Sequence, residues 1–256
     1  MPRQNKRFGW IPDLPDHRDH MYAAPLMIVT ALPPKADLRP KCPPVVDQGQ
    51  LGSCTANAIG NAHLFGQMKQ GQPGPFLPSR LFIYYNERVM EGTVNSDSGA
   101  MIRDGIKSVA NQGACPEKLW PYQISKFTKK PSAACYKEAL KHQALSYSRV
   151  TQNLAQMKGC LASGFPFVFG FTVYESFQSA AVAKTGTVPM PGQGEAVLGG
   201  HAVLAVGYDD TKQRFIVMNS WGTGWGMQGY FTMPYDYLAN RNLADDMWTI
   251  RRGEAM

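Results

Sequence analysis

The rhythm of hydrophobic and polar positions changes about halfway along the chain. From Thr55 to Met68 small and apolar residues run on without a proline, and the pattern closes at Gln70-Gly71-Gln72-Pro73, a helix stop. Pro78-Ser79-Arg80 opens a second helix with Ser79 as its N-cap; Leu81, Tyr84, Tyr85 and Val89 share one face and Gly92 closes it. Asp97-Ser98-Gly99-Ala100 leads into a third helix, in which Ile102, Ile106 and Val109 recur at helical spacing up to a C-cap at Gly113. A fourth spans Thr151 to Leu161, with Leu154, Met157 and Leu161 inward. Beyond it aromatic and β-branched residues crowd together. Phe165–Val173, Ala202–Tyr208 and Arg214–Asn219 are predicted strands, the last two joined across Asp209-Asp210-Thr211-Lys212. Trp120–Ser132 and the glycine- and proline-rich 185–200 are predicted loops, and the proline-rich residues 1–36 an arm that is neither helix nor strand. The pattern divides the chain into the arm (1–36), a helical subdomain (37–143) and a β-rich subdomain (144–256), an α+β architecture of two facing units.

Composition agrees with that division. The chain has 256 residues with 44% hydrophobic content, enough for one large domain or two small ones sharing a cleft. Its net charge of +7 is spread in short clusters such as Lys126-Phe127-Thr128-Lys129-Lys130 and Arg251-Arg252. Without a concentrated basic stripe, that charge serves solubility and no specific nucleic acid is expected as a partner. The longest apolar run, Ala23 to Leu32, falls short of the ~20 residues that span a bilayer, so no membrane partner is expected. The run also follows the polar Asp13–His20 stretch, which does not suit a signal peptide; the compartment is left open between the cytoplasm and unconventional export. Five cysteines leave at least one free thiol, for which Cys54 is the natural choice. Cys42, Cys115, Cys135 and Cys160 form two bridges or none, and without a C-x-x-C pair a structural zinc site is not expected.

The candidate chemistry gathers on Asp47-Gln48-Gly49-Gln50-Leu51-Gly52-Ser53-Cys54, a glycine-rich turn running into a cysteine at a helix start. The free N–H groups and macrodipole there favour an anion, and thiols so placed have pKa values lowered from ~8.5 to about 3.5–7.5. A small buried cysteine packed at a helix start is the bland alternative. A nucleophilic cysteine needs a base and a group to orient that base. His17 and His20 lie in the arm, His142 in a polar stretch, and His63 on the far face of the Cys54 helix. His201, in Gly199-Gly200-His201-Ala202-Val203, is left. A turn centred near Asp210 would set His201 opposite Asn219, on one face with Cβ atoms ~5 Å apart.

Gln48…Gly52-Ser53-Cys54, Gly200-His201-Ala202-Val203…Gly207-Tyr208 and Asn219-Ser220-Trp221-Gly222-Thr223-Gly224-Trp225-Gly226…Gly229-Tyr230 together resemble the papain-like cysteine peptidases, in the family's order and over roughly residues 37 to 250. The resemblance implies a helical domain packed against a β-barrel-like domain, with the active site in the cleft between them. It implies Cys54 as nucleophile, His201 as acid and base, Asn219 as its orienting amide, Gln48 as oxyanion-hole donor and Trp221 as the indole shielding the His–Asn bond. Gly99-Ala100 matches the glycine pair that binds substrate backbone, with alanine in place of the second glycine. Leu51 and Asp97 stand where many relatives carry a disulfide, and Thr55 replaces a tryptophan. The family's long helical propeptide is missing; the arm, with Phe8, Trp10, Ile11, Leu14 and Met21, is expected to lie across the cleft in its place, the alternatives being a strap on the outside of the β-domain or a disordered tail. The expected function is a monomeric thiol endopeptidase acting on polypeptides without metal or cofactor. A catalytically inactive peptide-binding relative, or a transferase or deamidase using the same thiol, is the alternative.

Overall fold

A computed structural model describes residues 7–143 and 146–251; the first six arm residues, the expected subdomain junction at 144 and Arg252 lie outside the described residues. In chain order the elements are β1 (Trp10–Ile11), β2 (Met21–Tyr22), α1 (Leu26–Val29), β3 (Lys35–Asp37), α2 (Cys54–Lys69), α3 (Arg80–Glu91), β4 (Ala100–Met101), α4 (Ile102–Gln112), α5 (Ala133–Ala139), β5 (Ser146–Val150), α6 (Leu154–Ala162), β6 (Phe167–Tyr174), α7 (Ala180–Thr185), β7 (Val197–Asp209), β8 (Arg214–Met218), β9 (Tyr230–Pro234), α8 (Tyr235–Ala239) and β10 (Ala244–Arg251).

Helix α2 is the hub. Almost every side chain from Cys54 to Phe65 is buried, so the helix has no solvent face and packs against α3 and α4 on one side and β7 on the other. A helix surrounded by protein needs no amphipathic stripe, and its pattern of Ala, Gly, Ile and Phe has none. Polar groups buried along it find partners at Gln67, which donates to Phe76 O at 2.9 Å and pairs with the His63 ring at 2.8 Å. Helices α3 and α4 carry their apolar faces to it. Ser79 caps α3 by accepting from the Phe82 amide, Gly92 ends it in the left-handed region at φ 70°, and Gly113 ends α4. Leu81 and Tyr84 are buried, whereas Val89 is 48% exposed, and the buried side of α3 extends instead through Ile83, Asn86 and Glu87. Leu154 likewise points outward, as the first residue after the Asn153 cap of α6.

Eight strands form one sheet in the order β2-β5-β10-β6-β7-β8-β9, with β3 added against β7, and β1 and β4 pair separately. Strands β6 and β7 are buried on both faces, which explains their continuous apolar runs. The arm departs from its expected description. Three short strands and one helical turn lie within its span. β2 runs parallel to β5, β3 antiparallel to β7 and β1 parallel to β4. Tyr22 and Ala24 enter the core, and the Ala24 amide donates to Gln156 Oε1 at 2.9 Å. Proline density excluded long regular elements there but not edge strands of two or three residues, where missing N–H donors face outward.

Ser79 also donates its hydroxyl to Trp120 O at 2.7 Å, so it anchors the 116–132 loop as well as capping α3. Ser79→Ala is therefore expected to cost about 1–2 kcal/mol, read as a lower urea midpoint at unchanged m-value. A midpoint equal to the wild type's would show that the cap contributes nothing.

Candidate active site

Two segments far apart in sequence are clasped at the start of α2. The Gln48 amide N–H donates to Ser220 O at 2.8 Å, and the Ser220 hydroxyl donates to Gln48 Oε1 at 2.6 Å. Tyr122 OH donates to Gln48 O at 2.9 Å and lies 2.5 Å from Ser53 Oγ. These bonds bury Gln48 completely and leave its Nε2 donating to Leu51 O at 2.9 Å and to Arg7 O at 3.2 Å. Cys54 follows as the first residue of α2, its sulfur 3.4 Å from the donating Ala202 amide.

His201 and Asn219 come together, but not by direct opposition. The β7–β8 ladder shifts register at a bulge between Ala205 and Gly207 and ends at Leu204↔Met218. Asn219 lies just past the last rung and reaches back, its Oδ1 2.9 Å from His201 Nε2. The same oxygen accepts from the Ser220 amide at 2.8 Å. His201 Nδ1 is buried without a hydrogen-bond partner among the described residues. Trp221 stacks on the imidazole with ring centroids 4.9 Å apart at 30°, and Phe171 and Phe177 close around it. The other histidines lie elsewhere: His63 on α2, paired with Gln67, His142 beside Glu138, His17 and His20 on the arm.

The arm runs through the cleft. Phe8 meets His201 and Trp221, each with ring centroids 6.1 Å apart. Gly9 O accepts from the Ala100 amide at 2.8 Å, so the Gly99-Ala100 segment already carries a peptide strand. A Cβ on Gly9 would sit 1.8 Å from Gly52 O; only glycine passes between the turn before Cys54 and β4. The Trp10 indole lies flat on Gly170 and Gly200, where any β-carbon would occupy its place, and donates to Asp246 Oδ2 at 3.1 Å. Asp246 stands on a bulge of β10 at φ 56° and also accepts from the Asp13 amide and, through Oδ1, from Arg149. Asp13 accepts from Trp248 Nε1 at 2.8 Å and from the Arg103 amide, and Arg103 pairs with Asp19 at 3.0 Å.

Burial dominates the electrostatics. The thiol of Cys54 is pushed up to about 12 by burial, against the smaller opposing pull of the Ala202 and Gly9 amides. His201 is pushed down to about 4 by burial, against the bond to Asn219. The lowered thiol pKa expected from a helix N-terminus is thus reversed while the arm is in place. Burial and the neighbouring Asp246 carboxylate push Asp13 upward. Beside Cys54, Thr55 donates to the fully buried Glu87 at 2.7 Å, and burial raises that acid well above its usual range.

Several of these residues escape sequence reasoning. Ser220 stood inside a quoted motif without a role. Tyr122, Asp246 and Glu87 carry no local signal, since their importance comes only from what the fold sets beside them. All five cysteines are free thiols in this structure.

The chain matches the sequence model of the papain family cysteine proteases over residues 32–249. It is 43% identical over 271 residues to an uncharacterized peptidase C1-like protein of Acanthamoeba polyphaga mimivirus, covering 96% of this chain and 87% of that protein. It is 32% identical to the cathepsin B-like CP3 of Giardia intestinalis, over 79% of this chain and 69% of the relative. Among solved structures, xylellain, a cysteine protease from Xylella fastidiosa, superposes with a TM-score of 0.93 at 47% identity, covering 99% of both chains. Procathepsin B of Trypanosoma congolense shares the fold, with a TM-score of 0.74 at 19% identity over 99% of this chain and 88% of that one. With its two-part α+β fold and its buried cysteine at a helix start, the chain belongs to the papain family of cysteine proteases.

Proposed function

We propose that the chain is a thiol endopeptidase in which Cys54, His201, Asn219 and Gln48 carry the reaction, held latent by its own arm. The observation that supports it most is the arrangement of His201: one ring nitrogen is fixed by Asn219 and the other is unpaired, on the residue next to the amide that touches Cys54 sulfur. Proton transfer from thiol to imidazole makes the nucleophile. The thiolate attacks the scissile carbonyl, and the oxyanion is held by the Cys54 amide and Gln48 Nε2. The imidazolium then protonates the leaving amine. Water activated by His201 releases the acyl group and restores the thiol.

The arm accounts for latency in the same terms. Its Arg7 carbonyl takes the Gln48 donor, its Gly9 carbonyl takes the Ala100 donor, and its rings exclude water from the cysteine and histidine. With the thiol above the imidazole in pKa, the neutral pair prevails. Withdrawal of the arm hydrates the cleft, removes the burial penalty on both ions and allows the ion pair.

Cys54→Ala is expected to abolish peptide hydrolysis and His201→Ala nearly so. Gln48→Ala and Asn219→Ala should lower kcat, by about 10²–10³ for the oxyanion donor, with the fold retained. Hydrolysis surviving in Cys54→Ala would sink the assignment.

Deleting residues 1–36 would strip Tyr22 and Ala24 from the core, so the arm is better tested by Trp10→Ala in the full chain. That variant should alkylate at Cys54 faster and show a lower KM; equal rates would show that the arm does not gate the cleft. Docking raises the Asp13 pKa above its free value, so docking takes up protons. The arm's hold is therefore complete below the ordinary carboxylate pKa and weakens as pH rises through the raised value. Measured against Trp10→Ala, which carries the thiol's own titration, thiol access should increase with pH in the wild type and less steeply in Asp13→Asn, followed by alkylation rates from pH 4 to about 8. An unchanged profile in Asp13→Asn would remove Asp13 from the latch.

A further inference from the structure

Asp97 is a polar group deep in the wall of the cleft that the reaction itself does not use. It lies between α3 and β4, with its side chain 8% exposed. Its Oδ1 accepts from the Gly52 amide at 3.0 Å and from Tyr84 OH at 2.5 Å; its Oδ2 accepts from Arg7 Nη1 at 2.6 Å. Tyr84 OH in turn accepts from the Gly99 amide at 3.2 Å. Tyr84 is fully buried, and burial together with the Asp97 carboxylate raises its phenol, which keeps it a donor.

We propose that Asp97 is a positioning residue that sets both oxyanion donors and the substrate-binding strand through one carboxylate. The inference rests on the reading of Cys54 as nucleophile. Gly52 is two residues before Cys54, whose amide is one oxyanion donor. Leu51, immediately before Gly52, offers the carbonyl that steadies Gln48 Nε2, the other donor. A shift of the Gly52 amide therefore displaces both. On the opposite wall the relay through Tyr84 holds Gly99, whose neighbour Ala100 donates to the docked peptide strand. Other bonds fix the far end of the turn: Gly49 N–H donates to Asp47 Oδ1 at 2.8 Å, and Gln48 is clasped to Ser220. Asp97 supplies the constraint at the Gly52 end. Removing it strands a buried amide and a buried phenol, and the turn must move to find them partners. Misplacement of catalytic donors by about 1 Å costs on the order of 10²-fold in rate.

The ion pair to Arg7 makes Asp97 an anchor of the arm as well, so the test separates the two roles. Arg7→Ala removes the arm's ion pair and leaves the bonds to Gly52 and Tyr84, and it serves as the baseline. Relative to it, Asp97→Asn in the full chain should lower kcat on a fluorogenic peptide about 10-fold with KM within about twofold, and Asp97→Ala by about 100-fold. Tyr84→Phe should show a loss of the same kind, and combining it with Asp97→Ala should add little, since both break one unit. Asp97→Asn, nearly isosteric, keeps the test open if Asp97→Ala does not fold. A kcat for Asp97→Asn within about twofold of Arg7→Ala, or additive losses for the Asp97 and Tyr84 variants, would overturn the proposal. Hydrolysis surviving in Cys54→Ala would instead overturn the underlying reading of the nucleophile.

Discussion

The clasp between Gln48 and Ser220 joins residues 172 positions apart, and the site is assembled around it. One backbone and one side-chain hydrogen bond, both out of water, set the turn before Cys54 against the segment that follows Asn219. Each such bond is worth only about 1 kcal/mol net, but leaving its buried groups unpaired costs about 1–3 kcal/mol apiece. That asymmetry bears on the further bonds around the turn: Tyr122 on Gln48 O, Leu51 O on Gln48 Nε2, Asn57 on Ser53 O. The cost of breaking any one of them holds the two halves of the cleft in a single geometry.

Within that geometry two effects oppose each other at Cys54. A helix N-terminus favours a thiolate by about 0.3–1 kcal/mol, up to about 2 when partly buried. Burial raises the thiol from 9.0 to about 12, equivalent to about 4 kcal/mol against the thiolate. Burial wins while the arm is docked. His201, pushed down to about 4, is affected in the opposite direction by the same cause, so a single event, readmission of water, relieves both. On the proposed mechanism, latency and reactivity would differ by solvation rather than by rearrangement of the residues.

The arm is built to be held without being part of the domain's regular framework. Its cleft-filling portion makes backbone bonds at β4, places an indole against two glycines, and ends in a cluster of Asp13 and Asp19 facing Arg103, Arg149 and Asp246. Its later portion, from β2 onward, is woven into the sheet and the core. The change from cleft-filling segment to core segment therefore falls inside residues 1–36, near Met21, and not at Asp37.

Local chemistry made much of this legible in the chain. Helices α3 and α4 were readable because caps and periodicity are properties of neighbouring residues, and Ser79, Gly92 and Gly113 do at their ends what such residues do anywhere, while α2 was readable from its proline-free run closed at Gln70-Gly71. Cys54, His201, Asn219 and Gln48 could be singled out because each sits in a distinctive run, and the structure brings all four together. The register that pairs His201 with Asn219 was not legible: a one-residue bulge shifts the ladder, and bulges leave no signature in the alternation. The short strands of the arm were missed because two- and three-residue elements draw their stability from a partner strand. The reversal of the Cys54 pKa, the clamp of Asp97 on Gly52 and the docking of Trp10 on Gly170 and Gly200 belong to tertiary structure alone. Burial, close approach and the charge of a distant neighbour are relations between segments, and no stretch of sequence contains them.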